Sequence, residues 1–163
     1  MLDAWSAFLR ERSLVAGVVF LPDDTQANET RPSAIQLATL RRLEAVQATL
    51  HDRVAAAMRR YYDSVRPKCA AFAKKFPRSM GDPAVTMPAE PDVETLGRLH
   101  ELTKVFVHPT ALNGIAYVGL FFSATWEPEH GVGVLTHDCR VVDVGGFDTA
   151  FLSWIAEKDA ESH

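Results

Sequence analysis

From Ser33 to Val65 the chain contains neither glycine nor proline. Within that run Leu40, Leu43, Leu50, Val54, Met58, Tyr61, Tyr62 and Val65 recur mostly at spacings of three, four and seven. Such a period puts the apolar side chains on one stripe of a helix, so the run predicts one long amphipathic helix or two consecutive ones. Pro32 and Ser33 suit its start. Pro67 should end or kink it, with Lys68 to Phe76 continuing as a shorter helical piece. A helix of that length with an apolar stripe needs a broad apolar surface to cover.

The second half of the chain supplies one. After Thr103 the apolar period changes to two, the mark of strands. Lys104–His108, Ile115–Trp126, Val132–Thr136 and Arg140–Val144 read as successive strands, with turns at Leu112-Asn113-Gly114, Trp126–Gly131 and His137-Asp138-Cys139. Near the start, Trp5–Leu9 and Leu14–Leu21 flank the charged turn Arg10–Ser13 and read as a hairpin, with a short helix as the alternative for the first run, and polar Pro22–Arg31 follows as a loop. Four prolines and a glycine make Pro77–Pro91 an irregular connection. Asp92 can cap a short helix over Val93–Leu102, and Asp148 or Thr149 one over Phe147–Lys158. The predicted fold is α+β: an antiparallel β-meander of about four to six strands, counting the hairpin, with helices packed on one face. The 163 residues suit a single domain. It comprises the hairpin and long helix (1–76), the connection (77–91), and the short helix with the meander (92–163).

Charge is unevenly spread. The total is −4, but residues 40–80 carry +7, residues 81–163 carry −9 and the first 39 carry −2. That asymmetry bears on partners rather than fold. The two cysteines, Cys69 and Cys139, lie in different elements and form no metal or redox spacing. The start of the chain lacks the pattern of a signal peptide, and the longest apolar stretch, Ile115–Thr125, is too short to span a bilayer. A cytoplasmic protein with no membrane partner is the resulting expectation.

Strand geometry sorts the candidate site residues. With His137-Asp138-Cys139 as the turn, Val134 should face Val142, Val132 should face Val144, and His130 should face Gly146. His130 and His137 then sit at opposite ends of one strand, on the order of 20 Å apart, too far to share a metal ion. The segment Gly145–Asp148 returns instead towards His130. A His130–Asp148 pair, with Glu129 beside it, could orient an imidazole for acid–base work. No serine, cysteine or lysine nucleophile is evident next to it, so a structural role for the pair is favoured. Trp126 reads as either a core aromatic or an interface anchor, and Gly131 and Gly133 as positions with backbone demands. Arg41, Arg42, Arg53, Arg59, Arg60, Arg66, Lys68, Lys74 and Lys75 could line a nucleic-acid surface, although a solvated helix face accounts for them more simply.

The segments Trp126-Glu127-Pro128-Glu129-His130-Gly131-Val132-Gly133-Val134 and Arg140–Phe151 resemble a group of bacterial domains of unknown function. These share the pattern W-[DE]-x-E-H-G-[LVI]-G-V, a turn, then a strand ending G-x-x-D. The likeness covers residues 115–151, and Pro128 departs from the polar residue usual in the turn. The resemblance implies an association with toxin-immunity systems. It points to a non-enzymatic protein-binding module, an immunity- or antitoxin-like protein whose partner is a basic toxin domain. Trp126, Glu127, Glu129 and Asp138 are the expected contact residues. No cofactor or metal is expected, and the reading leans away from an enzyme. The alternatives are a hydrolase using His130 with Asp148 and Glu129, or nucleic-acid binding along the arginine-rich helix. The edges of the meander also offer pairing to a second copy.

Overall fold

The computed structural model describes residues 17–23, 31–76 and 82–163. Its centre is a five-stranded sheet in the order β1 (Gly17–Phe20), β2 (His100–Leu112), β3 (Ile115–Ala124), β4 (Glu127–His137) and β5 (Arg140–Gly145). β2 to β5 form the expected antiparallel meander, while β1 lies parallel to β2, from Gly17 opposite Lys104 to Phe20 opposite Val107. Trp5–Leu9, the first run of the expected hairpin, falls outside the described residues, as does most of the loop after Pro22.

One unbroken helix, α1 (Ala34–Lys75), covers one face. Its start is closed by a capping box: the Gln36 N–H donates to Ser33 Oγ, and the Ser33 N–H donates to Gln36 Oε1. Leu50, Val54, Met58 and Tyr62 recur every four residues and pack on Val105, Val118, Leu120, Phe122, Val132 and Val134. Burial of each such side chain contributes roughly 1.5–3 kcal/mol, and Val65 and Cys69, half-buried against the same cluster, hold the helix on either side of Pro67, which sits exposed inside it. Packing thus overrides the break expected there.

The Pro77–Pro91 connection holds a short helix, α2 (Pro83–Thr86), before α3 (Val93–Arg98), which Asp92 caps through Thr95 N–H. Polar side chains of α1 bind this connection. Tyr62 Oη donates to the Pro88 carbonyl at 2.6 Å, Arg66 Nε donates to it at 3.0 Å, and Arg59 Nη1 donates to the Pro91 carbonyl at 2.8 Å.

The helices are not confined to one face. A 3-10 turn (Phe147–Ala150) and α4 (Ser153–Glu161) fold back onto the other side of the sheet. Gly119 and Gly133 allow that seat: a Cβ on Gly119 would lie 1.6 Å from the Ala150 carbonyl oxygen, and one on Gly133 2.5 Å from the Gly146 carbonyl oxygen. Buried His108 donates through Nε2 to the Ala150 carbonyl at 2.9 Å. Farther along, Tyr117 and Leu135 pack on Ala156. Tyr117 Oη donates to Asp159 at 2.7 Å, and the Arg140 guanidinium grips the same carboxylate with both Nη groups.

The hairpin registers differ from expectation in two places. The β4–β5 turn is the two-residue Asp138-Cys139, with Asp138 at φ 52°, and β5 carries an extra residue at Val142. Val134 therefore faces Val144 rather than Val142, and β5 ends before Gly146 can face His130. The β3–β4 turn is Thr125-Trp126 alone, because Glu127 already pairs with Ala124.

Candidate functional site

The two ends of the sheet differ in character. At the end holding the Asn113-Gly114 and Asp138-Cys139 turns, polar side chains of α1 and β4 tie the strands together. Gln36 Nε2 donates to the Leu21 and Val107 carbonyls, each at 2.9 Å, and Thr39 Oγ1 accepts the Ala116 N–H at 2.9 Å. Arg42 meets Asp138 through two parallel hydrogen bonds of 2.8 and 2.9 Å, and its guanidinium holds the Asp138 carboxyl below the usual carboxylate range. His137 Nε2 faces the Leu112 and Ile115 carbonyls at 3.1 and 3.2 Å. Asp138 and His137 thus serve the architecture of this end, and Asp138 has already spent its charge on Arg42.

The opposite end is shaped by a bulge. Between the Phe122–Val132 and Ala124–Glu127 pairs, β3 supplies only Ser123, whereas β4 supplies Pro128, Glu129, His130 and Gly131. Pro128, with no N–H to donate, fits such an interruption of the ladder. Gly131 makes the return possible: it has φ +65°, and a Cβ there would sit 2.5 Å from the Phe122 carbonyl oxygen and 2.6 Å from the Phe121 ring. The extra residues stand up as one wall of a cleft of about 380 Å³. Phe121 and Ser123 lie along the floor, and Arg98 to Glu101 form the facing wall.

Trp126 does not reach this cleft. Its indole is 1% exposed, edge-on to Tyr62 with ring centroids 5.0 Å apart, so it is a core residue and offers no contact area to a partner. The alternation of the strand places it there: Ala124 and Trp126 continue the inward series Val118, Leu120, Phe122. Glu127, Glu129 and His130 do line the cleft. The His130 side chain is 73% exposed, and its Nδ1 lies 3.1 Å from Glu127 Oε1. Glu127 therefore takes the place beside the imidazole that the sequence suggested for Asp148. Asp148 is exposed at the start of the 3-10 turn, where its carbonyl accepts the Phe151 and Leu152 N–H groups.

Glu101, Phe121 and Ser123 went unrecognised from sequence. Pairing β2 with β3 would have found the first and third, since Glu101 and Ser123 are direct cross-strand neighbours. Among the described residues the cleft is lined by three carboxylates, Glu101, Glu127 and Glu129, and by one guanidinium, Arg98, which is itself bound to Glu94 at 2.8 Å. The field of Glu127 reaches α1: burial, then this carboxylate, pushes the Cys69 thiol and the Tyr61 phenol up. Among the described residues no group of three or more His, Cys, Asp or Glu side chains is placed to hold a metal ion, and no helix is long and apolar enough to cross a membrane.

The sheet, α1 and the cleft all lie within residues 4–152, which match the family model described as Domain of unknown function (DUF6985). The chain belongs to that family. No match is found among curated proteins or among solved structures. The DUF6985 span ends at Leu152, so the bulge of β4 falls inside it and α4 lies beyond it.

Proposed function

We propose that this DUF6985 chain is a protein-binding module whose cleft beside the Pro128–Gly131 bulge receives a basic segment of a partner. The observation that carries the reading is the charge of the cleft: Glu101, Glu127 and Glu129 line it, and among the described residues that line it the only lysine or arginine, Arg98, is engaged by Glu94. An acidic concave site speeds capture of a cationic partner and rejects acidic ones. The finer reading, carried over from the resemblance, is an immunity- or antitoxin-like protein that masks a basic toxin domain. Relative to the sequence-based set of contact residues, Glu127 and Glu129 remain, Glu101 joins them, and Trp126 and Asp138 drop out. Affinity capture at low salt with wild-type chain and with a Glu127→Lys/Glu129→Lys variant tests this. A basic protein retained by the wild type and lost by the variant is expected; an identical set retained by both would refute the assignment.

One observation favours a second reading. Ser123, His130 and Glu127 line one cleft, and Glu127 orients the imidazole, the composition of a nucleophile–base–acid arrangement. The Ser123 hydroxyl, however, points to the Glu101 carbonyl at 3.4 Å. Hydrolysis of small activated esters that is abolished by both Ser123→Ala and His130→Ala would establish the enzyme instead.

A further inference from the structure

The last turns of α1 run past the core. Leu50, Val54, Met58 and Tyr62 are buried in the apolar cluster, Val65 and Cys69 are half-buried against it, and Ala73 is the sole buried residue after them on the helix. At about 63 Å the helix is longer than β2, which spans about 43 Å, so an overhang follows from length alone. On this overhang Lys68, Phe72, Lys75 and Phe76 share one exposed stripe. The phenyl rings are 48% and 44% exposed, packed on each other with centroids 4.8 Å apart, and Lys75 Nζ sits 5.4 Å above the Phe76 ring. From Ser64 to Phe76 the sequence holds Arg66, Lys68, Lys74 and Lys75 and no acidic residue. This stretch contributes +4 to a total of −4, so the remaining chain carries −8.

We infer that the C-terminal end of α1 is a peripheral contact for an anionic lipid surface. Two large apolar side chains at a tip, ringed by lysines, match the interface of an anionic leaflet, where apolar bulk enters the headgroup boundary and cations remain among phosphates and carboxylates. The −8 of the remaining chain orients the molecule, because an anionic surface attracts the tip and repels the rest. Nucleic acid is the less suitable occupant. Base stacking needs an open ring face, whereas the Phe76 ring packs on Phe72 and carries Lys75 Nζ over it. Arg59 and Arg66, which would extend a phosphate track, are bound to backbone carbonyls. The sequence-based expectation of no membrane partner rested on the lack of a spanning segment; peripheral contact needs none. The cleft is not involved.

Co-sedimentation of the full chain with phosphatidylcholine vesicles, and with vesicles in which about a third of that lipid is replaced by phosphatidylserine, tests the inference. Binding to the anionic vesicles alone, weakened by salt, is expected. Each basic side chain near an anionic leaflet is worth roughly fivefold in binding, so Lys68→Glu/Lys75→Glu should lower it by at least about tenfold. Phe72→Ser/Phe76→Ser, at exposed positions that leave the core intact, should also lower it by about tenfold or more. Glu127→Gln should leave it unchanged, which separates this surface from the cleft. The inference is overturned by equal binding to both vesicle types, by no binding, or by full binding of either double variant. It is likewise overturned if the same variants lose a single-stranded oligonucleotide that the wild type holds while vesicles stay unbound.

Discussion

Gly131 carries the largest local constraint at the cleft. It combines a left-handed backbone with a site in which a Cβ would press on the Phe122 carbonyl and the Phe121 ring. Gly131→Ala should cost on the order of 2–4 kcal/mol, from adverse φ and overpacking together, and denaturant titration reads it directly. Asp159 is constrained electrostatically. The Arg140 guanidinium, reinforced by the Tyr117 hydroxyl, holds its carboxyl at about 2 against burial, and Tyr117 is pushed up to about 12, chiefly by burial. The Asp159 side chain is 14% exposed, so its depressed pKa is worth about 2 kcal/mol of stability at neutral pH. That stability is present above the unfolded carboxyl pKa of about 3.9 and is lost as pH falls through about 2. Asp159→Asn should remove it and flatten the acid limb of a stability–pH curve, whereas an unchanged limb would place the linkage elsewhere. His108 acts in the same direction at milder pH. Burial pushes its pKa down, so it remains neutral while donating to Ala150, and acidification below its unfolded pKa of about 6.5 erodes the fold.

Among the elements, α1 invites the plainest test. Pro67 cannot donate to the carbonyl of Asp63 four residues back, yet it lies exposed within a continuous helix. Pro67→Ala should restore that bond and raise stability by about 1–3 kcal/mol; a thermal shift downward would show that the proline is needed. This helix was legible from its spacing because Leu50, Val54, Met58 and Tyr62 are both periodic and buried. Whether it broke at Pro67 was not legible, since local propensity argues for a break and the partner surface that overrides it lies about forty residues on. The strands behaved similarly. Alternation located β2 to β5 within a few residues, but the β4–β5 register depended on φ at Asp138 and on the bulge at Val142, neither of which alternation encodes. Asp143 shows how the outer edge of β5 is managed: its carboxylate accepts the Val144 N–H at 2.8 Å, so that donor is taken before a second copy can pair with it.

At the scale of the molecule, the sheet is covered on both faces, by α1 on one and by the 3-10 turn and α4 on the other. The second layer was missed because its seat is made of glycines: Gly119 and Gly133 show no apolar signal, and their role appears only when Ala150 is placed over them. Ending the chain after Leu152 should uncover Tyr117 and Leu135 and remove the Asp159 anchor. Stronger binding of a hydrophobic dye and a lower melting temperature are expected; an unchanged melting temperature would mean that α4 contributes no stability. The cleft was half legible. Glu127, Glu129 and His130 lie within four residues of one another and stand out in the sequence, while Glu101 and Phe121 arrive from other strands. Asp148 was a reasonable partner for His130 under the assumed register, and it lost that place when β5 ended at Gly145. The bulge itself has an evolutionary consequence. Val132 and the residues after it keep their pairing with β3 whatever the length of the arc between Glu127 and Gly131. Insertions or deletions there would deepen, narrow or recharge the cleft without shifting a single core side chain. Related chains are thus free to vary the shape and charge of this cleft while inheriting one scaffold.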